Sequence, residues 1–275
     1  MPLPRLDEYV ARHGERVEDL SGITAAQPYR PRGPQLSTLG VELLARKLVG
    51  GARLHRRTGE EDAQLDRLTE AGLLHDRRRL TESGMTVART LVRRRAHVRI
   101  GVAQGLAPLS VQAYLAGDHA VIVATESPAA WRGRERSGAD VTAATTVWLD
   151  FCDVSYVPVA LASWVGLSPA WSFRTRPEWL EDDLVRQRLD DPSTPPPDDA
   201  DEHLRRMWAQ PWFLWTLTGS GMEGLLMIDA GVAGQYSWSG REGTRAQLQT
   251  APALFVWQLM AERIVPLIQA SRASR

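Results

Sequence analysis

Val111-Gln-Ala-Tyr-Leu-Ala-Gly-Asp-His-Ala-Val-Ile-Val-Ala-Thr125 decides the fold class of this chain. Residues Val111 to Leu115 alternate apolar and polar, Gly117-Asp118 supplies a turn, and His119 to Thr125 is a nearly continuous apolar run. The three parts read as strand, turn and strand. Outward from them, His97 to Ala103 alternates as an earlier strand, and Thr145 to Phe151 reads as a fourth after a polar, Gly- and Arg-rich loop from Ser127 to Asp140. A helix follows from Val157 to Val165 and stops at Gly166.

The same order returns near the C-terminus. Strand patterns cover Trp212 to Leu217, Leu225 to Asp229, Gln235 to Trp238 and Arg245 to Thr250, and Pro252 opens a long apolar helix. Even the loops echo, Trp131-Arg-Gly-Arg-Glu-Arg-Ser-Gly138 against Trp238-Ser-Gly-Arg-Glu-Gly-Thr-Arg245. An internal duplication is expected, giving two α+β halves about an approximate two-fold axis. Between them lie a helix near Glu178 to Leu189, a stretch at 192–201 with the composition of a solvated linker, and a short helix from Glu202 to Ala209.

The N-terminal third is helical. A helix from Leu3 to Leu20 leads to an arm, Ile23 to Gln35, held extended by Pro28, Pro31 and Pro34. Ser37 caps a helix ending at Gly50-Gly51, and Glu60 to Ala71 forms a second, stopped by Gly72. Leu74, a short polar turn, Leu80 and a helix from about Met85 to Arg94 then follow in the order of a winged helix, with Thr81 as a cap. The fold class expected is therefore α+β: two quasi-symmetric antiparallel sheet-plus-helix halves with an N-terminal helical, winged-helix-like module. The expected divisions are 1–95, 96–191, a linker at 192–201, and 202–275.

The 275 residues carry 33 basic and 33 acidic side chains, with the basic excess confined to the first hundred. Lys47 is the only lysine. So strong an arginine bias fits either a GC-rich genome or a preference for bidentate contacts. No apolar run reaches the roughly 18–20 residues of a membrane span, and the N-terminus lacks a signal-peptide pattern, so a cytoplasmic protein is expected. Arg77, Arg78 and Arg79 would contact phosphates if the wing bound DNA, but the preceding helix carries Glu60, Glu61, Asp62, Asp66 and Glu70 and would repel it.

Catalytic chemistry demands particular residue types at particular spacings. There is no GxxxxGK[ST]; Gly219-Ser-Gly-Met-Glu-Gly224 precedes a strand instead of the helix a dinucleotide needs; and the six histidines are isolated. Cys152 has no partner for a disulfide, and Ser220 lacks a GxSxG elbow. Expected, then, is a protein that is not an enzyme and takes no cofactor or metal. Most of the ten tryptophans fall among aliphatics and read as core packing and contact between halves. Trp131 with Arg132 and Arg134, and Trp238 with Arg241, lie beside glycine at strand exits and are candidates for contact with a protein partner.

Over residues 36–268 the chain resembles the EspG family of type VII (ESX) secretion-associated proteins of actinobacteria. The resemblance rests on Leu68-Thr-Glu-Ala-Gly-Leu-Leu74, Leu80-Thr-Glu-Ser-Gly84, His97-Val-Arg-Ile100, Gly117-Asp-His-Ala-Val-Ile-Val-Ala124, Val157-Pro-Val-Ala-Leu-Ala-Ser-Trp-Val-Gly-Leu167, Leu226-Met-Ile-Asp229 and Gly234-Gln-Tyr236. It implies a cytosolic, non-catalytic chaperone or adaptor, monomeric or homodimeric, that binds secreted PE–PPE heterodimers at the apolar PPE tip and delivers them for secretion. No membrane or nucleic acid is implied. The family's gripping loop maps onto Gln104 to Ser110, where Gln104, Leu106, Pro108 and Leu109 become candidate contacts. The proline-rich arm stands where the family usually has a first strand. The alternative reading is a winged-helix DNA-binding transcriptional regulator with a C-terminal sensing domain.

Overall fold

A computed structural model describes residues 29–49, 58–103, 109–138, 146–167, 177–240 and 244–273. The elements in chain order are β1 (Gln35–Ser37), α1 (Thr38–Val49), α2 (Gly59–Glu70), β2 (Leu74–His75), β3 (Arg79–Leu80) and α3 (Glu82–Val92). Next come β4 (Ala96–Ala103), β5 (Leu109–Ala116), β6 (His119–Ala124), α4 (Pro128–Arg136), β7 (Thr146–Asp153) and α5 (Val157–Val165). The chain continues through β8 (Glu178–Glu181), α6 (Asp182–Asp190), α7 (Glu202–Trp208), β9 (Phe213–Gly219), β10 (Leu225–Asp229), β11 (Gln235–Ser239), β12 (Arg245–Ala251) and α8 (Ala253–Arg272).

Ten strands form one antiparallel sheet in the order β1-β7-β6-β5-β4-β9-β10-β11-β12-β8. The mixed α+β class is as expected. β4 and β9 meet at the centre, with Val98 opposite Gly219 and Ala103 opposite Leu214. From there each half runs outward through four consecutive strands. The middle two repeat at a constant interval: Leu109 and Leu225 open β5 and β10, and His119 and Gln235 open β6 and β11, each pair 116 residues apart, whereas Ala96 and Phe213 open β4 and β9 117 apart.

Strand alternation gives the sheet two distinct faces. On one, Val98, Ile100, Val111, Ala113, Leu115, Trp215, Leu217 and Met227 are buried beneath α5 and α8, the helices that close the two halves. Gly166 takes the left-handed conformation (φ 75°) that lets α5 stop. On the other face, α1, α2 and α3 bury Leu44, Leu65, Leu68, Val87 and Leu91 against Val121, Val147 and Leu149 of β6 and β7. In the second half α6 and α7 place Val185, Leu189, Leu204 and Met207 on Ile228, Tyr236 and Leu248.

The winged module has the expected elements. Thr58 and Glu61 close a capping box on α2, and Thr81 accepts from the Gly84 amide at the start of α3. Gly84 is required there, because a Cβ would collide with the Leu73 carbonyl oxygen. β2 and β3 form the two-stranded wing, Leu74 opposite Leu80.

Four expectations are corrected. The arm ends in a short strand, β1, because Leu36 finds a buried place beside Val147 at the sheet edge. The polar stretch after β6 is helical over α4: Ser127 accepts from the Ala130 amide and Pro128 occupies the first turn. Residues Glu178–Glu181 are extended on β12, so the helix starts only at Asp182. The 192–201 stretch joins α6 to α7 within the second half, tied down by Trp208 Nε1 donating to the Thr194 carbonyl at 2.8 Å. Its composition resembles a linker because its prolines and aspartates suit a surface turn equally well. The helix expected at Leu3 to Leu20 lies outside the described residues.

Candidate partner-binding surface

Gln104, Leu106, Pro108 and Arg241 lie outside the described residues. Leu109 opens β5 on the buried face and is 2% exposed, a core side chain in this molecule. Trp131 (8% exposed) packs edge-on against Phe213 with ring centroids 5.9 Å apart. The Arg132 guanidinium lies 3.7 Å from the same ring and donates to Asp229 Oδ2 at 3.3 Å. Burial raises the Asp229 carboxyl above its ordinary range, opposed by Arg132 and by the Gly231 amide. Trp131 and Arg132 therefore join α4 of the first half to β9 and β10 of the second, and the expectation that they stand at an exposed strand exit is corrected. An arginine beside an aromatic carries the same signature at an internal contact as at a docking surface.

Arg134 pairs with Glu126. Trp238, half-buried, donates from Nε1 to Asp182 Oδ1 at 3.0 Å, and Arg186 covers its ring while donating to Asp182 Oδ2 at 2.7 Å. This cluster fixes β11 to α6. It belongs to the opposite sheet face from Trp131, so the two echoed segments do not converge. They are 107 residues apart, out of step with the 116-residue strand interval.

What the two helical caps leave uncovered is the middle of their shared sheet face. Alternation sends Val98 and Ile100 into the core and so brings His97 and Arg99 to this face, with Gln112 and Tyr114 on β5 and Thr216 and Thr218 on β9. His97, Arg99 and Thr218 are exposed, and Gln112, Tyr114 and Thr216 are half-buried. Gly101 keeps the floor low. Arg94 lies 5.2 Å from the Tyr114 ring centroid and donates to the Leu91 carbonyl at 3.1 Å. The result is a polar, arginine-edged trough between α3 and the α6–α7 pair. The strand alternation that creates it was legible in the sequence; the spacing of the caps was not.

Ser220 Oγ lies 2.9 Å from His97 Nδ1 and also accepts from the His97 amide at 3.1 Å, while its own amide donates to the His97 carbonyl. A nucleophilic serine needs a base oriented by a third group. Here both bonds run to one residue, and their effect is to clamp the β9–β10 hairpin to β4.

A groove of about 770 Å³ lies beside β7 just before β1 begins, lined in part by Tyr29, Val87, Leu149, Asp150, Cys152 and Tyr156. Asp150 accepts from the Tyr29 hydroxyl at 2.8 Å and from the Arg32 amide at 2.7 Å. Burial, reinforced by Asp150, pushes the Tyr29 hydroxyl far above its ordinary range, and burial with Asp150 and Asp153 pushes the Cys152 thiol up to about 11. Both groups stay protonated near neutrality, which suits anchoring of the arm better than nucleophilic chemistry.

In the wing, Arg77 is held by Asp66 of α2, leaving Arg78 and Arg79 exposed. Among the described residues no group of three or more His, Cys, Asp or Glu is placed to hold a metal ion, and no helix is long and apolar enough to cross a membrane. No family model matches the chain, and no curated protein matches it either.

Proposed function

We propose that this chain is a non-catalytic binding protein that grips another polypeptide in the trough between its helical caps. By its resemblance to the EspG family it acts as a cytoplasmic chaperone or adaptor for a secreted, PE–PPE-like substrate. The observation that carries the reading is the open central face at the junction of β4 and β9, where both halves contribute and His97, Arg99 and Thr218 stay exposed. Such a place suits a partner larger than a small molecule, because its exposed side chains lie on an open sheet face and not in an enclosed pocket. β4 ends at Ala103, and the resemblance puts the family's grip in the segment that follows it in sequence.

Co-expression with a helical-hairpin partner of the PE–PPE type, followed by affinity capture, tests this. The expected result is a stoichiometric complex, lost when Gly101→Trp raises the floor while the melting temperature is kept. Unchanged partner solubility and no co-elution overturn it. Salt-sensitive binding of duplex DNA that depends on Arg78 and Arg79 favours the regulator reading instead.

A further inference from the structure

The charge of the trough points to the chemistry of its occupant. We infer that the trough receives an acidic, carboxylate-bearing segment of another polypeptide, an inference that rests on the polypeptide-binding reading above. Arg93, Arg94, Arg95 and Arg99 follow one another from the end of α3 into β4, and all four are exposed. None of them forms an ion pair among the described residues, whereas Arg46, Arg77, Arg132, Arg134, Arg186 and Arg272 each have a carboxylate partner. The basic run therefore has no carboxylate partner among the described residues. Arg94 is ordered in advance by Tyr114 and the Leu91 carbonyl, which lowers the entropy lost on binding.

The half-buried Gln112 and Thr216 offer uncharged hydrogen-bond partners beneath a segment whose carboxylates meet Arg94 and Arg99.

The test uses the full chain and a fluorescein-labelled, alanine-rich helical peptide with glutamates at i, i+4 and i+7, followed by anisotropy. Its isosteric control carries glutamine at the same positions. Expected are binding of the glutamate peptide that is at least ~10-fold tighter than that of the control, and a further loss of about tenfold on raising salt from about 50 to about 300 mM. Arg99→Glu should weaken the glutamate peptide about tenfold with the melting temperature unchanged; Arg94→Glu/Arg99→Glu should weaken it further. Equal binding of the two peptides, indifference to Arg99→Glu, or tighter binding of duplex DNA overturns the inference. Partner capture retained in full by Arg99→Glu removes the acidic-segment assignment and leaves the polypeptide-binding reading standing. Peptide binding as expected, without capture of any PE–PPE-type partner, supports the assignment and removes the chaperone reading.

Discussion

The two halves of the sheet use one plan with different fillings. Each begins with an edge strand, β1 or β8, then inserts helices that cap one face, then runs through four antiparallel strands, and closes with a helix on the other face. In the first half the cap is a three-helix winged module; in the second it is the pair α6 and α7. After the third strand the halves part: the first inserts α4 before β7, whereas in the second β12 opens at Arg245, soon after β11 ends at Ser239. The shared part lies where neighbouring strands must keep register, since a one-residue slip would turn every core side chain outward. The variable parts lie at edges and on helices, which can differ without disturbing that register.

If the halves form one cooperative unit, the largest effect should come from the seam. Trp215 is fully buried on β9 and donates to Gln235 Oε1 at 2.9 Å, so Trp215→Ala should cost about 3–5 kcal/mol and lower a single shared transition in chemical denaturation. Two separate transitions would break the comparison. Arg132→Ala leaves Asp229 buried without its cation and should cost about 3 kcal/mol, with Arg132→Met/Asp229→Leu recovering part of the loss. An additive double mutant would show that α4 does not join the halves through this pair.

A local contact should matter less. Trp238→Phe removes one hydrogen bond to the fully buried Asp182, which keeps Arg186, and should cost about 1–2 kcal/mol, read as a lower denaturation midpoint at constant slope. The smallest effect should appear only in alkali. Because the folded protein holds the Cys152 proton up to about pH 11 and an unfolded thiol releases it near 8.5, the folded state binds more protons in that window. Its stability therefore falls as pH rises. Cys152→Ser lacks that fall, so the wild-type advantage in melting temperature at pH 8 should shrink by pH 10.5; a constant difference argues against the burial assigned to the β7 edge.

The strands that form the shared plan were legible because their pattern is local. Alternation in Val111–Leu115, the Gly117 turn (φ 65°) and the caps Ser37 and Thr81 all act within a few residues. The edge strands were not, since β1 and β8 are short and extended only because β7 and β12 offer them free ladder positions. The Gly- and Arg-rich surroundings of Trp131 and Arg132 read as a loop, although Ser127-Pro128 is a helix start in plain view.

By itself, then, the sequence determined the α+β class, the two runs of strands ending in helices, and the wing, because periodicity and capping are settled between near neighbours. Tertiary structure alone decided that β4 pairs with β9, that Arg132 meets Asp229 across 97 positions, and that a basic trough stays open between the caps. Those outcomes depend on which surfaces are brought together and desolvated, and no stretch of chain carries that information alone.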